Sequence, residues 1–162
     1  MVISISGMSG AGKTTITKKF CEEFDDYTAY FYDDYEDSNI EPDDWLEWMI
    51  EGADFNEFRS PELLNDIKSS NSKNLILDFP FARMLPQFSQ LIDKAIYLDL
   101  PVEEALNRRL NRGDVNDQIV GKELDLFSTY HESISPTCDL IIDSMKTIEE
   151  ILNEIKLTLN EQ

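Results

Sequence analysis

Near the start of the chain, Gly7-Met8-Ser9-Gly10-Ala11-Gly12-Lys13-Thr14 fits the spacing G-x-x-x-x-G-K-[ST] at every fixed position. Each residue type has a physical reason. Glycines let the backbone wrap closely round a phosphate chain and turn successive N–H groups inward. A helix that starts at the end of such a loop adds the positive end of its dipole. Lys13 can reach β- and γ-phosphates, and the Thr14 hydroxyl is a hard oxygen suited to Mg²⁺. The loop therefore points to binding of a Mg²⁺-nucleotide. The nucleophile turn G-x-S-x-G also begins at Gly7, but Ala11 breaks its last glycine and leaves Lys13 and Thr14 unexplained.

Other residues fall where phosphoryl chemistry needs groups. Asp78 ends an apolar run and could hold Mg²⁺ through water. Asp33 and Asp34 follow an aromatic strand, and either could accept the proton of an acceptor hydroxyl. Arg108, Arg109 and Arg112 cluster near a helix end and could contact transferring phosphate oxygens. Cations also gather at helix C-termini for dipole reasons alone, which accounts for at least one of the three.

These residues need elements to position them. Val2 to Ser6 reads as a buried strand, and Lys13 to Phe24 as a helix with Ile16, Phe20 and Phe24 on one face. Thr28 to Asp33 reads as a strand. Pro42 suits the first turn of a helix through Ile50, and Ser60-Pro61 caps and opens a helix to about Ser70. Asn74 to Phe79 and Lys94 to Leu100 read as parallel strands, separated by a helical segment around Phe88 to Ile92. A helix from Pro101 stops at Gly113, and residues 115–133 read as mostly helical. Cys138 to Ile142 is the last strand. Thr147 and Glu150 form a capping box that opens a terminal helix. Strands alternating with helices predict an α/β fold, a parallel sheet with helices on both faces and ligands at the strands' carboxyl ends. Trp45, Trp48, Phe55 and Phe58 read as core in preference to a substrate cage, His131 as an exposed helix residue, and Tyr130 as packing under the arginines.

The 162 residues suit a single domain, 1–162. No apolar run is long enough to span a bilayer. The strand-like start after Met1 offers no basic leader region. Cys21 and Cys138 are too few and too far apart for a disulfide framework or zinc site. A reducing, cytoplasmic setting is the expectation. The net charge of −19 repels phosphate backbones and anionic headgroups, so neither nucleic acid nor membrane is an expected partner. The excess is uneven: residues 22–66 hold seventeen acids and one base, Arg59.

On these residues the chain resembles the P-loop small-molecule kinases of the uridine kinase group, which includes nicotinamide riboside kinases and phosphoribulokinase. The resemblance rests on Gly-Met-Ser-Gly-Ala-Gly-Lys-Thr-Thr at 7–15, Tyr-Asp-Asp-Tyr at 32–35, Leu-Ile-Leu-Asp-Phe-Pro-Phe at 75–81 and Arg-Arg-Leu-Asn-Arg-Gly-Asp at 108–114. Tyr130, Pro136 and Cys138 to Asp143 follow in the family's order. It implies a P-loop three-layer sandwich with a five-stranded parallel sheet in the order 2-3-1-4-5. It implies ATP and Mg²⁺, with Gly7, Ser9, Gly10, Ala11, Gly12, Lys13, Thr14 and Thr15 on the phosphates. Thr14 and Asp78 would hold the metal, and Asp33 would be the general base. Arg108, Arg109 and Arg112 would belong to a lid at about 108–122, with Lys13 and Arg109 acting on the transferred group. The sequence departs from the family at Phe79, where Glu-Gly is favoured after the strand, and in segment 34–66, which carries no clear substrate motif.

The expected activity is phosphoryl transfer from ATP to a hydroxyl of a small molecule, nucleoside-like, by a monomer or homodimer. The acidic segment at about 34–70 would cover the acceptor side and favour neutral or amine-bearing alcohols over phosphorylated ones. The alternative is a nucleotide-dependent switch without an acceptor. Its GTPase form lacks both D-x-x-G and [NT]-K-x-D.

Overall fold

The computed structural model describes residues 1–113 and 122–160. Five parallel strands form one sheet: β1 (Val2–Ser6), β2 (Tyr27–Phe31), β3 (Asn74–Asp78), β4 (Lys94–Asp99) and β5 (Leu140–Asp143). Their order is β2-β3-β1-β4-β5, as expected. Phe31, Asp78 and Ile5 lie in register across β2, β3 and β1, so these strands finish level and hand over to their loops together.

The strands read as apolar runs because both faces are covered. Period-two alternation divides their side chains. Leu75, Leu77, Ala95 and Tyr97 face a core with α2 (Trp45–Ile50), α3 (Pro61–Ser69), α4 (Pro86–Ser89) and α6 (Lys122–Ile134). Ile3, Ile5, Ile76, Ile96, Leu98 and Ile142 face a second core with α1 (Lys13–Glu23), α5 (Val102–Arg112) and α7 (Ile148–Asn160). This is the three-layer arrangement expected.

Several boundaries differ from the sequence reading. The second strand stops at Phe31, because buried Tyr32 opens a 3₁₀ turn through Ser38 that carries Asp33 and Asp34 off the sheet. Pro42 is not in a helix: α2 starts at Trp45, where the Asp44 carboxylate accepts the Glu47 N–H at 3.0 Å. Ser60 precedes α3, but its hydroxyl donates to Asn39 Oδ1 at 2.5 Å rather than capping, tying the helix to the preceding loop. The Phe88–Ile92 helix is displaced to α4 because Pro86 supplies its first turn. The last strand starts at Leu140, after a 3₁₀ turn, Ser135–Thr137, in which Cys138 N–H donates to Ser135 O. The capping box at Thr147 is formed, with Thr147 N–H donating to Glu150 at 2.8 Å and Glu150 N–H to Thr147 at 3.3 Å. Residues 114–121 of the expected lid and helix lie outside the described residues.

Candidate active site

The loop between β1 and α1 is built for close approach. Gly7 and Gly10 take φ of +143° and +97°, conformations open to glycine. A Cβ on Gly7 would stand 2.7 Å from the Leu98 carbonyl, and one on Gly10 3.1 Å from the Ala105 carbonyl, so the loop sits directly against β4 and α5. Helix α1 starts after left-handed Gly12 with no side-chain cap, which leaves first-turn N–H groups open to an anion. The Ala11 N–H is engaged inside the loop, donating to Met8 O at 3.0 Å. Two contacts hold the outer side of the loop. The buried Ser144 hydroxyl donates to Ala11 O at 2.6 Å, and Arg108 Nη1 donates to Gly10 O at 3.1 Å.

Lys13 lies among charges. Its ammonium donates to Met8 O at 3.4 Å. Burial pushes it below the ordinary lysine value, while the carboxylates of Asp78 and Asp33 hold it up and Arg112 pushes it further down. On α1, Thr14 donates from Oγ1 to Asp78 Oδ2 at 2.5 Å. Asp78 is 6% exposed at the end of β3. Burial raises its carboxyl, against the Thr14 hydrogen bond and the Lys13 charge, which lower it. Among the described residues no cluster of three His, Cys, Asp or Glu could enclose a metal. The Thr14–Asp78 pair suits Mg²⁺, which takes one or two protein oxygens and completes its shell with phosphate and water. A cation there would also offset the cost of ionising a buried carboxylate.

The loop opens onto a cavity of about 330 Å³. Gly7, Ser9, Lys13 and Asp33 line its phosphate-loop side; Tyr32, Glu41, Trp45, Pro80, Phe81, Tyr130 and His131 line the rest. Tyr32 donates to Glu41 Oε1 at 2.8 Å. The cavity brings together Lys13 and Asp33, which the sequence singled out, whereas Asp34 is not among its lining residues. Thr15 is exposed on the first turn of α1.

The arginines divide. Arg108 pairs with Glu104 at 2.9 Å and holds the Gly10 carbonyl, so it supports the loop from outside. Arg109 lies half-buried on α5, and Arg112 is exposed one residue before left-handed Gly113, close enough to influence Lys13.

Two expectations fail. His131 is buried, not exposed; burial drives its imidazole down to about 3, so it is neutral, and the Lys13 charge acts in the same direction. Tyr130 packs in the aromatic core against Trp45, Trp48 and Phe55 at 5.7–6.4 Å rather than under the arginines. Trp48, Phe55 and Phe58 are core as expected, but Trp45 serves both core and cavity. Sequence reasoning missed Glu41, Phe81, Tyr130 and His131 as cavity walls. An apolar-polar pattern gives no signal for residues that meet only in the folded sheet.

No family model matches the chain, and no curated protein matches it in sequence. Solved structures do match over nearly the whole length. Deoxyadenosine kinase from M. mycoides, with dCMP and dCDP bound, is 16% identical with full coverage of both chains and a TM-score of 0.61. Shikimate kinase from Aquifex aeolicus is 17% identical, covering 99% of this chain and 96% of that one at a TM-score of 0.68. Shikimate kinase from Acinetobacter baumannii, in complex with shikimate, is 16% identical, covering 99% and 94% at 0.63. The chain has the fold of P-loop small-molecule kinases.

Proposed function

We propose that this protein is a kinase that transfers the terminal phosphoryl group of ATP to a hydroxyl of a small, nucleoside-like molecule. The observation that carries the reading is the convergence of Lys13, the Thr14–Asp78 pair and Asp33 at one end of the sheet, beside a cavity that opens on the same glycine loop.

The residues take roles that follow from their chemistry. Gly7, Ser9, Gly10, Ala11 and Gly12 shape the loop, and the uncapped start of α1, through Lys13, Thr14 and Thr15, presents N–H donors to the phosphates. Lys13 exchanges its bond to Met8 O for phosphate oxygens and stabilises charge there as transfer proceeds. Thr14 and Asp78 would hold Mg²⁺, which neutralises phosphate charge when bound. Asp33 accepts the proton of the acceptor hydroxyl, with Asp34 one residue further along the same turn. Arg109 and Arg112 reach the phosphates from α5, and Arg108 positions the loop. The acidic segment at about 34–70 supplies the acceptor wall through Glu41 and Trp45.

The cavity beside the loop favours an acceptor-dependent enzyme over a switch. ADP release is to be measured with and without a panel of nucleosides and other alcohols. Acceptor-stimulated release, lost in Lys13→Ala and abolished in Asp33→Asn with nucleotide affinity spared in the latter, is the expected outcome. Slow hydrolysis indifferent to every alcohol overturns the kinase reading.

A further inference from the structure

The far wall of the cavity carries a carboxylate that phosphoryl transfer does not use. Glu41 lies on the loop before α2, and its Oε1 accepts the Tyr32 hydroxyl at 2.8 Å. Tyr32 is well placed to hold it. The ring is 6% exposed and wedged edge-on against Phe79 and Phe81, at 5.7 and 5.2 Å between centroids, so the hydroxyl has a fixed origin. Burial and the Glu41 carboxylate both push that phenol above its ordinary value, which keeps it a donor. A tyrosine that donates to one carboxylate oxygen orients the group and leaves the other oxygen's capacity for a ligand.

No protein cation answers Glu41 among the described residues. Arg59, the one base of segment 22–66, shares an open groove with Glu41, yet its guanidinium donates to the carbonyls of Asn56 and Phe58. Lys13, the one cationic residue among the described residues lining the cavity, is turned to the glycine loop through Met8 O. Bound nucleotide phosphates add negative charge on that side. Beside Glu41 stand the aromatic rings of Trp45, Phe81 and Tyr130, with Pro80 and neutral His131 completing the far wall and the Asp33 carboxylate on the loop side. A fixed carboxylate among aromatic faces is the environment that favours an organic cation, through charge, hydrogen bonding and cation–π attraction. The same walls disfavour an acceptor bearing carboxylate or phosphate, which would face Glu41 with no arginine among the described lining residues to pair it.

We propose that Glu41, oriented by Tyr32, is the specificity-determining residue of the acceptor site, and that it selects an alcohol carrying a protonated amine. The inference rests on the kinase reading for the word acceptor, but the cation preference of the cavity is measurable without turnover.

The test uses three probes of matched shape: phenylethanolamine, phenyl glycol and mandelate. Each has an aromatic ring and a hydroxyl, with an ammonium, a neutral or a carboxylate third group. The protein is saturated with Mg²⁺ and a non-hydrolysable ATP analogue, and tryptophan fluorescence, to which Trp45 contributes from the cavity wall, is followed through each titration. The expected order is phenylethanolamine, then phenyl glycol, then mandelate, with at least about tenfold between the first two. Glu41→Gln, a change at an exposed position, narrows that ratio at least about threefold, the rest being left to Asp33 on the loop side, and Tyr32→Phe narrows it by releasing the carboxylate. Phenyl glycol or mandelate binding as tightly as the amine overturns the proposal. So does an unchanged ratio in Glu41→Gln, or absence of saturable binding by all three. ADP release is assayed in parallel. An amine preference with no alcohol-stimulated release would sink the kinase reading and leave the cation site standing. Efficient transfer to neutral or anionic alcohols, indifferent to Glu41, would do the reverse.

Discussion

Replacing Thr14 with valine isolates one hydroxyl. Valine keeps the β-branched shape on the first turn of α1, so the change removes the donor to Asp78 Oδ2 and little else. A hydrogen bond to a charged group contributes about 1.5–3 kcal/mol. Thr14 is exposed, so water replaces part of what is lost, and about 1–2 kcal/mol is expected near neutral pH. For a chain of this length that is roughly 3–6 °C in Tm. The pH dependence follows from Asp78. Burial raises its folded-state pKa above the unfolded value, so its contribution to stability is fullest below the ordinary carboxylate range and declines as pH rises through the raised value. Losing the Thr14 donor raises that value further. The deficit of Thr14→Val should therefore be full at neutral pH and shrink toward acid, where Asp78 is protonated in both proteins. Thr14→Ser, which keeps the hydroxyl, should stay within about 0.5 kcal/mol of the parent. Urea unfolding at about pH 4, close to the ordinary carboxylate value, and at about pH 8 reads the stability, and Mg²⁺-dependent nucleotide affinity reads the function. The valine variant should lose the Mg²⁺ dependence and the serine variant keep it. A valine variant no less stable than the serine one, or a deficit equal at both pH values, would refute the pairing argument.

Gly7→Ala and Gly12→Ala separate strain from collision. Both positions have positive φ, but the Gly7 Cβ meets the Leu98 carbonyl at 2.7 Å while the Gly12 Cβ meets nothing within 4 Å. Unfolding midpoints should show a loss of about 3 kcal/mol or more at Gly7 and about 1–2 kcal/mol at Gly12. Arg108→Ala removes a half-exposed ion pair to Glu104 and the bond to Gly10 O. Stability should fall by no more than about 1 kcal/mol, while nucleotide KM rises, since the loop loses an outer support. An unchanged KM would leave Arg108 as helix-end charge.

The sheet and the glycine loop between β1 and α1 were legible because their signals are local. Leu75-Ile76-Leu77 can be apolar without interruption only where both faces are covered, and a glycine loop between such a strand and an amphipathic helix has few other uses. Asp78 was legible for the same reason, as the first charge after an apolar run. The short helices were less so: α2 has six residues and α4 four, too few for a helical period to emerge from composition. Segment 34–70 was expected on the acceptor side, but the individual residues of the far wall were not legible. Glu41 precedes α2, Phe81 follows β3, and Tyr130 and His131 end α6, so their meeting is a property of the folded sheet. His131 sits beside Glu132 and Ser133 and reads as a surface residue; the fold brings Tyr97 to it from β4, on the side where its neighbour Tyr130 already packs.

The same distinction decides how the charge should be read. Segment 22–66 carries seventeen acids, yet only Asp33 and Glu41 of them line the cavity. An exposed carboxylate more than a Debye length away, about 8 Å at physiological salt, is largely screened from a ligand in the site. A carboxylate fixed on the wall is not. The bulk of the acidic excess can therefore affect how fast a cation arrives, an effect that salt erases. The selection between an amine and a carboxylate must come from the wall carboxylates, Glu41 on the far side and Asp33 beside the glycine loop, and from the absence of an arginine among the described lining residues. Raising the ionic strength should accordingly slow association of phenylethanolamine while leaving most of its preference over mandelate intact. A preference that vanished with salt would return the explanation to the surface field and remove Glu41 from it.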